Sequence, residues 1–335
     1  PLRILFCGSD HFSATSLKAL YQEHKRDPHL IESIDVVTRG DKRVGRGLKT
    51  IKEVPAKIAA EELKLPLHEI DTFTGWHPPT PLGGPLNLIV AVSFGRRVPA
   101  RILNYTLYGG INVHPSLLPT YRGAAPIYHA LLNNASFTGV TIQTLHPVLF
   151  DHGTILFQSP EIPIPKGMDY QTLHDSLAIL GAQMLVHTCR NRLFKKPFQV
   201  IESKYPPSEA PKINPEYHSR ISWERQTAED LERYCGTLGT LWCRLGPVDN
   251  PDRRKRVILS HLTSWADDKL NLDESAQPGQ WRYHETGSKT GLLLIKCRAG
   301  WVEVSGIKIE GKTRTQGGEW ARSMAANKRG PFVFT

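Results

Sequence analysis

The amino-acid sequence predicts an α/β fold, a parallel sheet covered by helices, followed by a smaller domain of short strands. Three observations carry that expectation. Residues 3–8 and 86–93 are almost wholly apolar and of strand length, as strands buried on both faces require. The stretches between such runs show helical spacing of apolar residues, giving the strand–helix alternation of an α/β sheet. After a proline-rich segment at 205–211 (YPPSEAP), the pattern changes to one helix and then short strands. The 335 residues suffice for two domains, expected at 1–204 and 212–335 with 205–211 as the linker.

In order, RILFCG at 3–8 is a strand, GSDHF a turn, and 14–21 helical. This is an opening of Rossmann type, but it lacks the GxGxxG glycines that seat a dinucleotide, which disfavours a nicotinamide dehydrogenase. Residues 33–38 form the next strand. The segment 39–50, RGDKRVGRGLKT, holds Arg39, Lys42, Arg43, Arg46 and Lys49 among Gly40, Gly45 and Gly47. Its glycines predict a mobile loop rather than a helix or strand. A helix follows, with Pro55 in its first turn and Ile58, Ala59 and Leu63 on its apolar side. Ser93-Phe94-Gly95 then lies at the carboxyl end of the sheet, where open α/β sheets bind ligands.

Helices are expected at 99–104 and 125–132, with a strand at 137–145 and another after the turn that holds Asp151-His152-Gly153. A long helix begins at 169 or 170 and reaches about 193, its stripe of Leu173, Leu177, Leu180 and Met184 facing a core. Residues 198–204 close the first domain as a last strand. Beyond 211, Thr227 with Asp230 predicts a capping box for a helix over 228–238. Strands at 257–262, 292–297 and 301–309, with a hairpin turn at Ala299-Gly300, predict a small β-barrel.

The formal net charge is +10 and the pI about 9.4, the excess being shared by both halves. One reading is a polyanionic partner that touches both; the other is a generally basic protein. The loop at 39–50 divides in the same way, into a solvated charged turn or a basic finger that orders on nucleic-acid phosphates. No apolar run approaches the roughly 18 residues of a membrane span. Five scattered cysteines argue against a disulfide framework or a zinc site and for a reducing compartment. The chain opens on Pro1 without a methionine, as expected of a mature form that has lost a targeting peptide.

The densest chemistry lies in residues 109–127, GGINVHPSLLPTYRGAAPI. Alternation along a strand puts Asn112 and His114 on one face at its end, and Pro115 stops the ladder. A donor amide beside a titratable imidazole suits the oxyanion formed when a nucleophile attacks a carbonyl, and a carboxylate such as Asp151 would tune the imidazole. Singly, each residue has a plain structural reading: a strand-end histidine, a turn asparagine, an Asp-x-Gly turn. Spacing alone does not bring Asp151 to His114.

Asn112-x-His114-Pro115-Ser116-Leu117-Leu118-Pro119-x-Tyr121-Arg122-Gly123 resembles the signature of the folate-dependent formyltransferases, and Asp151-x-Gly153 resembles their second motif. ILFCGSDHF, RVGRGLK, APKIN, RISW and TAEDLERY extend the resemblance over nearly the whole chain. The resemblance implies a Rossmann-like domain that transfers the formyl group of 10-formyltetrahydrofolate to the amine of initiator methionyl-tRNA. It implies an OB-type barrel as the smaller domain, lying against the tRNA, and no metal. By motif position, Asn112 and His114 would hold the oxygen that turns negative under attack, and Asp151 would tune His114. The folate would lie beside Ser93, Phe94, Gly95, Ser116 and Asp151. Arg39, Lys42, Arg43, Arg46 and Lys49 would meet the tRNA acceptor end. A monomer wrapping one tRNA is the simplest assembly. With the basic pI, the organelle matrix of mitochondria is expected over a bacterial cytoplasm. Two rivals keep part of this pattern: a formyltransferase for a purine precursor or amino sugar, and an RNA-binding protein with a relic transferase domain.

Overall fold

The computed structural model describes residues 1–44, 47, 49–247, 251–265, 275–287, 290–326 and 332–335. They divide into two compact units, one of Pro1–Ala130, Ala135–Pro165 and Gln171–Lys212, the other of Leu131–Asn134, Lys166–Tyr170 and Ile213–Thr335. No helix of the described residues is long and apolar enough to cross a membrane.

The first unit is built on β1 (Leu2–Gly8), whose residues 4–8 are all buried. Helix α1 (His11–Arg26) starts where the Asp10 side chain accepts from the Ser13 amide, and it ends on His24, Lys25 and Arg26, which suit the negative end of its dipole. Next come β2 (Ile31–Thr38), β3 (Lys42–Val44), β4 (Thr50–Lys52), α2 (Pro55–Glu62) and β5 (Leu67–Glu69). Pro55 occupies the first turn of α2, where a missing N–H costs nothing. The buried face of α2 is Ala56, Ala59 and Ala60, whereas Ile58 is exposed. The alanines allow the close approach of α2, so the expected apolar side was misplaced by part of a turn.

The chain then returns as β6 (Leu88–Val92), α3 (Ala100–Leu103), β7 (Gly110–His114), α4 (Pro126–Leu132), β8 (Phe137–Thr138), β9 (Thr141–Thr144), β10 (Ile155–Gln158), β11 (Ile162–Pro163) and α5 (Tyr170–Asn191). The main sheet runs β10-β9-β7-β6-β1-β2-β5. β5, β2, β1, β6 and β7 are parallel, and β9 and β10 add an antiparallel edge. Strand order reverses between β1 and β6, so their carboxyl ends frame the crevice of the sheet. Ser9 closes it by donating its hydroxyl to the Phe94 carbonyl at 3.2 Å. Helix α5 covers β7 at Gly181, where an added Cβ would stand 3.0 Å from Val113.

Two expectations for this unit fail. The segment 39–50 is not a featureless loop: β3 and β4 pair antiparallel, Lys42 opposite Lys52 and Arg43 opposite Ile51. The β-branched Thr50 and Ile51 fit the extended backbone. Residues 198–204 form no strand, although the Ile201 amide donates to the Ile155 carbonyl at 3.2 Å. Residues 206–210 are tied to the first unit: the amides of Ser208 and Ala210 donate to the carbonyls of Pro119 and Arg122.

The second unit begins with α6 (Pro215–His218) and α7 (Ala228–Leu238), whose capping box is formed by Thr227 and Asp230 in both directions. Its strands are β12 (Leu241–Pro247), β13 (Lys255–Trp265), β14 (Trp281–His284), β15 (Leu292–Lys296), β16 (Trp301–Ile309), β17 (Thr315–Gln316) and β18 (Phe332–Phe334), with α8 (Gly317–Ala326) between the last two. They make an antiparallel sheet ordered β14-β15-β16-β13-β12-β18, with β17 on β16. The expected turn at Ala299-Gly300 is present, the Cys297 amide donating to the Gly300 carbonyl. Leu231, Leu241, Val257, Leu293 and Val302 are among its buried core. At the sheet's two outer strands, Phe334 N donates to Gly279 O at 3.0 Å and Trp281 Nε1 to Phe332 O at 3.1 Å. All five cysteines are buried free thiols.

Candidate active site

Strand register brings the polar groups together. Ala91 and Val92 of β6 pair with Asn112 and Val113 of β7, so Ser93 follows at the level of His114. On its other side β7 pairs with β9, Asn112 opposite Gln143 and His114 opposite Thr141. Asp151 arrives from the turn after β9. That turn is clasped to its own strand: Thr154 N donates to Thr144 Oγ1 at 2.8 Å, and a Cβ at Gly153 would run into the Thr144 carbonyl.

The Asp151 carboxylate is the hub. Its Oδ1 accepts from Asn112 Nδ2 at 3.2 Å and Gln143 Nε2 at 2.9 Å, and its Oδ2 accepts from Gly123 N at 2.9 Å. Arg122 Nε donates to the Asp151 carbonyl at 3.1 Å, so the Arg122-Gly123 pair of the motif grips this residue twice. His114 faces the same carboxylate, Nδ1 to Oδ1 at 3.4 Å, both side chains being nearly buried. Its Nε2 lies 2.9 Å from the Tyr121 carbonyl, which can only accept, so Nε2 carries a proton. That leaves Nδ1 as the nitrogen positioned to exchange a proton with Asp151. The 3.4 Å separation is longer than a hydrogen bond, as catalytic contacts often are before substrate arrives.

The structure therefore joins Asn112, His114 and Asp151 in one cluster. Ser93 and Gly95 are exposed at its rim, while Phe94 is buried against Phe73, ring centroids 5.9 Å apart. Ser116 is not at the rim: it is fully buried and donates its hydroxyl to Thr120 O at 2.6 Å, bracing the turn after β7. Val148, Leu149 and Phe150, exposed by about half, directly precede Asp151. Arg97 holds that loop against the Ser93–Gly95 segment through the Val148 carbonyl at 2.9 Å. Sequence reading missed Gln143, which is 1% exposed and also accepts from Gly153 N at 3.1 Å. A polar residue in the otherwise β-branched run VTIQT was its only signal. Among the described residues no cluster of His, Cys, Asp and Glu is arranged to hold a metal.

The basic residues separate into two groups. Lys42, Arg43 and Lys49 are exposed on or beside the β3–β4 hairpin, and Arg46 lies outside the described residues. Arg39 is instead half-buried at the carboxyl end of β2, its guanidinium 3.5 Å from where a Cβ of Gly95 would stand. In the second unit, register places Trp242, Arg244, Arg256, Ile258 and Lys308 on one outer face. Arg256 stacks on Trp242 at 4.0 Å and pairs with Glu216 at 2.7 Å. Of the basic run 253–256, Lys255 and Arg256 open β13; Lys328 and Arg329 lie outside the described residues.

The Asn–His–Asp cluster stands at the carboxyl end of a Rossmann-like sheet, and residues 2–189 match the family described as formyl transferase. The chain belongs to that family. Among its relatives is the mitochondrial methionyl-tRNA formyltransferase of Saccharomyces cerevisiae, 34% identical over 96% of this chain and 88% of that protein. The protein of the same name from Homo sapiens is 32% identical over 92% of this chain and 75% of its own length. The fold is shared with a sugar 3N-formyl transferase, WlaRD, solved in the presence of dTDP and 5-N-formyl-THF, at a TM-score of 0.56 and 15% identity, over 93% of this chain and 99% of that one.

Proposed function

We propose that this protein transfers the formyl group of 10-formyltetrahydrofolate to the amino group of initiator methionyl-tRNA. The observation that carries the reading is the extent of the likeness. The mitochondrial methionyl-tRNA formyltransferases of Saccharomyces cerevisiae and Homo sapiens match 96% and 92% of the chain, well past the family's residues 2–189. The second unit supports an RNA acceptor, since its outer face joins three cations to a stacked tryptophan. We read residues 1–204 as the catalytic domain, 205–211 as the connection and 212–335 as the tRNA-binding domain. An OB-like barrel for the latter is supported by the hydrogen bonds between residues 279–281 and 332–334, which draw the sheet's two edges together. Action in mitochondria fits the names of the relatives and the basic charge, and a monomer remains the simplest assembly on one tRNA.

The rim suits a ligand that is partly aromatic and partly polar. Exposed Val148, Leu149 and Phe150 offer apolar contact, and Ser93, Gly95 and the Asp151 turn offer polar groups beside them. When bound there, 10-formyltetrahydrofolate supplies the formyl carbon. The second amide N–H of Asn112 donates to the carbonyl oxygen as it gains charge. The amine nitrogen bonds to the formyl carbon as that carbon's bond to N10 of the folate breaks, and His114 Nδ1 and Asp151 Oδ1 pass the proton that the amine gives up to that leaving nitrogen. Arg39 and the hairpin cations meet the acceptor end of the tRNA.

The test is incubation with 10-formyltetrahydrofolate and charged initiator tRNA, with formyl-methionine as the expected product. Turnover of a free small amine in its place would overturn the tRNA reading. His114→Ala should abolish transfer and leave tRNA affinity within about twofold, because it removes a proton-transfer group and no phosphate contact.

A further inference from the structure

The β3–β4 hairpin has little of its own to hold it. Each strand has three residues, its described side chains are exposed, and Lys42 directly faces Lys52. An isolated pair of short strands is marginal in water, and facing like charges weaken it further. Its two feet, however, are fastened. Asp41 stands just before β3 and Val54 just after β4, at the start of α2. Asp41 Oδ1 accepts from Val54 N at 3.0 Å, and Asp41 Oδ2 meets Lys57 Nζ at 2.9 Å. Lys57, in the first turn of α2, also meets Glu69 Oε1 at 3.0 Å, and Glu69 pairs with Thr38 at the sheet's edge.

We propose that Asp41, Lys57 and Glu69 form a latch that fixes the direction in which the basic hairpin leaves the sheet, and so positions its cations for the acceptor end of an RNA. The latch stands on geometry alone; only its service to RNA rests on the function proposed above. One ammonium is shared by two carboxylates from separate elements, and a backbone N–H holds the first carboxylate. This network ties hairpin, helix and sheet together, where a single exposed pair would contribute little. The hydrogen bond from Lys57 holds the Asp41 carboxyl below its ordinary range, and those to Asp41 and Glu69 push Lys57 up. Asp41 and Lys57 therefore stay charged at neutral pH. Because Lys57 engages both acids, neither is paired with Lys42, Arg43, Lys49 or Lys52, the described cations of the hairpin.

Trypsin reads the latch directly, since Lys42, Arg43, Lys49 and Lys52 are cleavage points. In Asp41→Asn and Lys57→Met, cleavage between 42 and 52 should speed up by about fivefold or more below the unfolding range, as opening becomes more populated. Their thermal midpoints should stay close to that of the wild type. The KM for methionyl-tRNA should rise about tenfold as oriented phosphate contacts are lost, with kcat and the folate KM within about twofold, and Lys57→Arg should restore both readouts. Unchanged cleavage in both variants would sink the latch. Faster cleavage with an unmoved tRNA KM would keep the latch and overturn its service to RNA. If the wild type makes no formyl-methionine, the proposed function falls with that service, and cleavage still decides the latch.

Discussion

At the scale of single residues, the active cluster depends on one carboxylate held by donors from three segments. Gln143 is the one that most plainly does no chemistry itself, since it spends both ends of its amide on Asp151 and Gly153. Gln143→Met keeps the volume and deletes both bonds. We expect kcat to fall about tenfold through loss of Asp151 orientation and stability to fall by about 1–3 kcal/mol for the buried groups left unpaired. The KM for tRNA should hold, which steady-state kinetics and thermal unfolding together will check. Asn112, His114 and Asp151 could be singled out because their motif is distinctive, and the fold brings them together. Gln143 was not, because its meaning comes from standing opposite Asn112 across β7 and β9, and register is invisible in a one-dimensional string.

At the scale of elements, legibility followed local determinants. The α7 capping box and the Ala299-Gly300 turn are set within a few residues, and the sequence declares them. Helix α8 escaped notice because it opens on Gly317 and Gly318, which read as breakers. A Cβ at either position would strike the Val304 or the Gly291 carbonyl, so the glycines are there for close packing. Helices α1 and α5 are joined by a pair no local rule predicts. Arg190 donates from Nε and Nη2 to the two carboxylate oxygens of Glu23, at 2.7 and 2.6 Å, with the Glu23 side chain 5% exposed. Those hydrogen bonds outweigh burial and hold the Glu23 carboxyl below its ordinary value. A depressed folded value adds stability above the unfolded value, about 4.3, and that stability disappears as pH falls through the lower folded value. Arg190→Met should therefore be destabilised at pH 7, though by less than the loss of a fully buried pair, because the guanidinium is partly exposed. Its unfolding curve should also be flatter than the wild type's below about pH 4.

At the scale of the whole molecule, cations occur in both units, on the β3–β4 hairpin and on the outer face of the second sheet. If both touch one polyanion, logarithmic tRNA affinity should fall linearly with logarithmic salt. Arg43→Ala and Lys308→Ala should each lower the slope by about 0.7–0.9, their double variant by the sum, with the folate KM insensitive to all three. Filter binding across a salt series checks this, and a slope altered by only one of the pair would confine the RNA to one unit. The passage from an α/β sheet to an antiparallel sheet was visible in the sequence as a change of pattern. Strands β12, β14 and β18 were not, because Pro247, Arg282 and the brevity of β18 disguise them until their neighbours pair with them.

Asp151 sits at a φ of 56°, in the left-handed region that aspartate, asparagine and glycine enter at least cost. In a saturation library at this codon, two selections should therefore come apart. Scored for protein abundance, asparagine and glycine should survive with aspartate while β-branched residues drop out. Scored for growth that needs the enzyme, only aspartate should remain, because among the three it alone can exchange a proton. Backbone geometry thus narrows the alphabet before chemistry picks its letter.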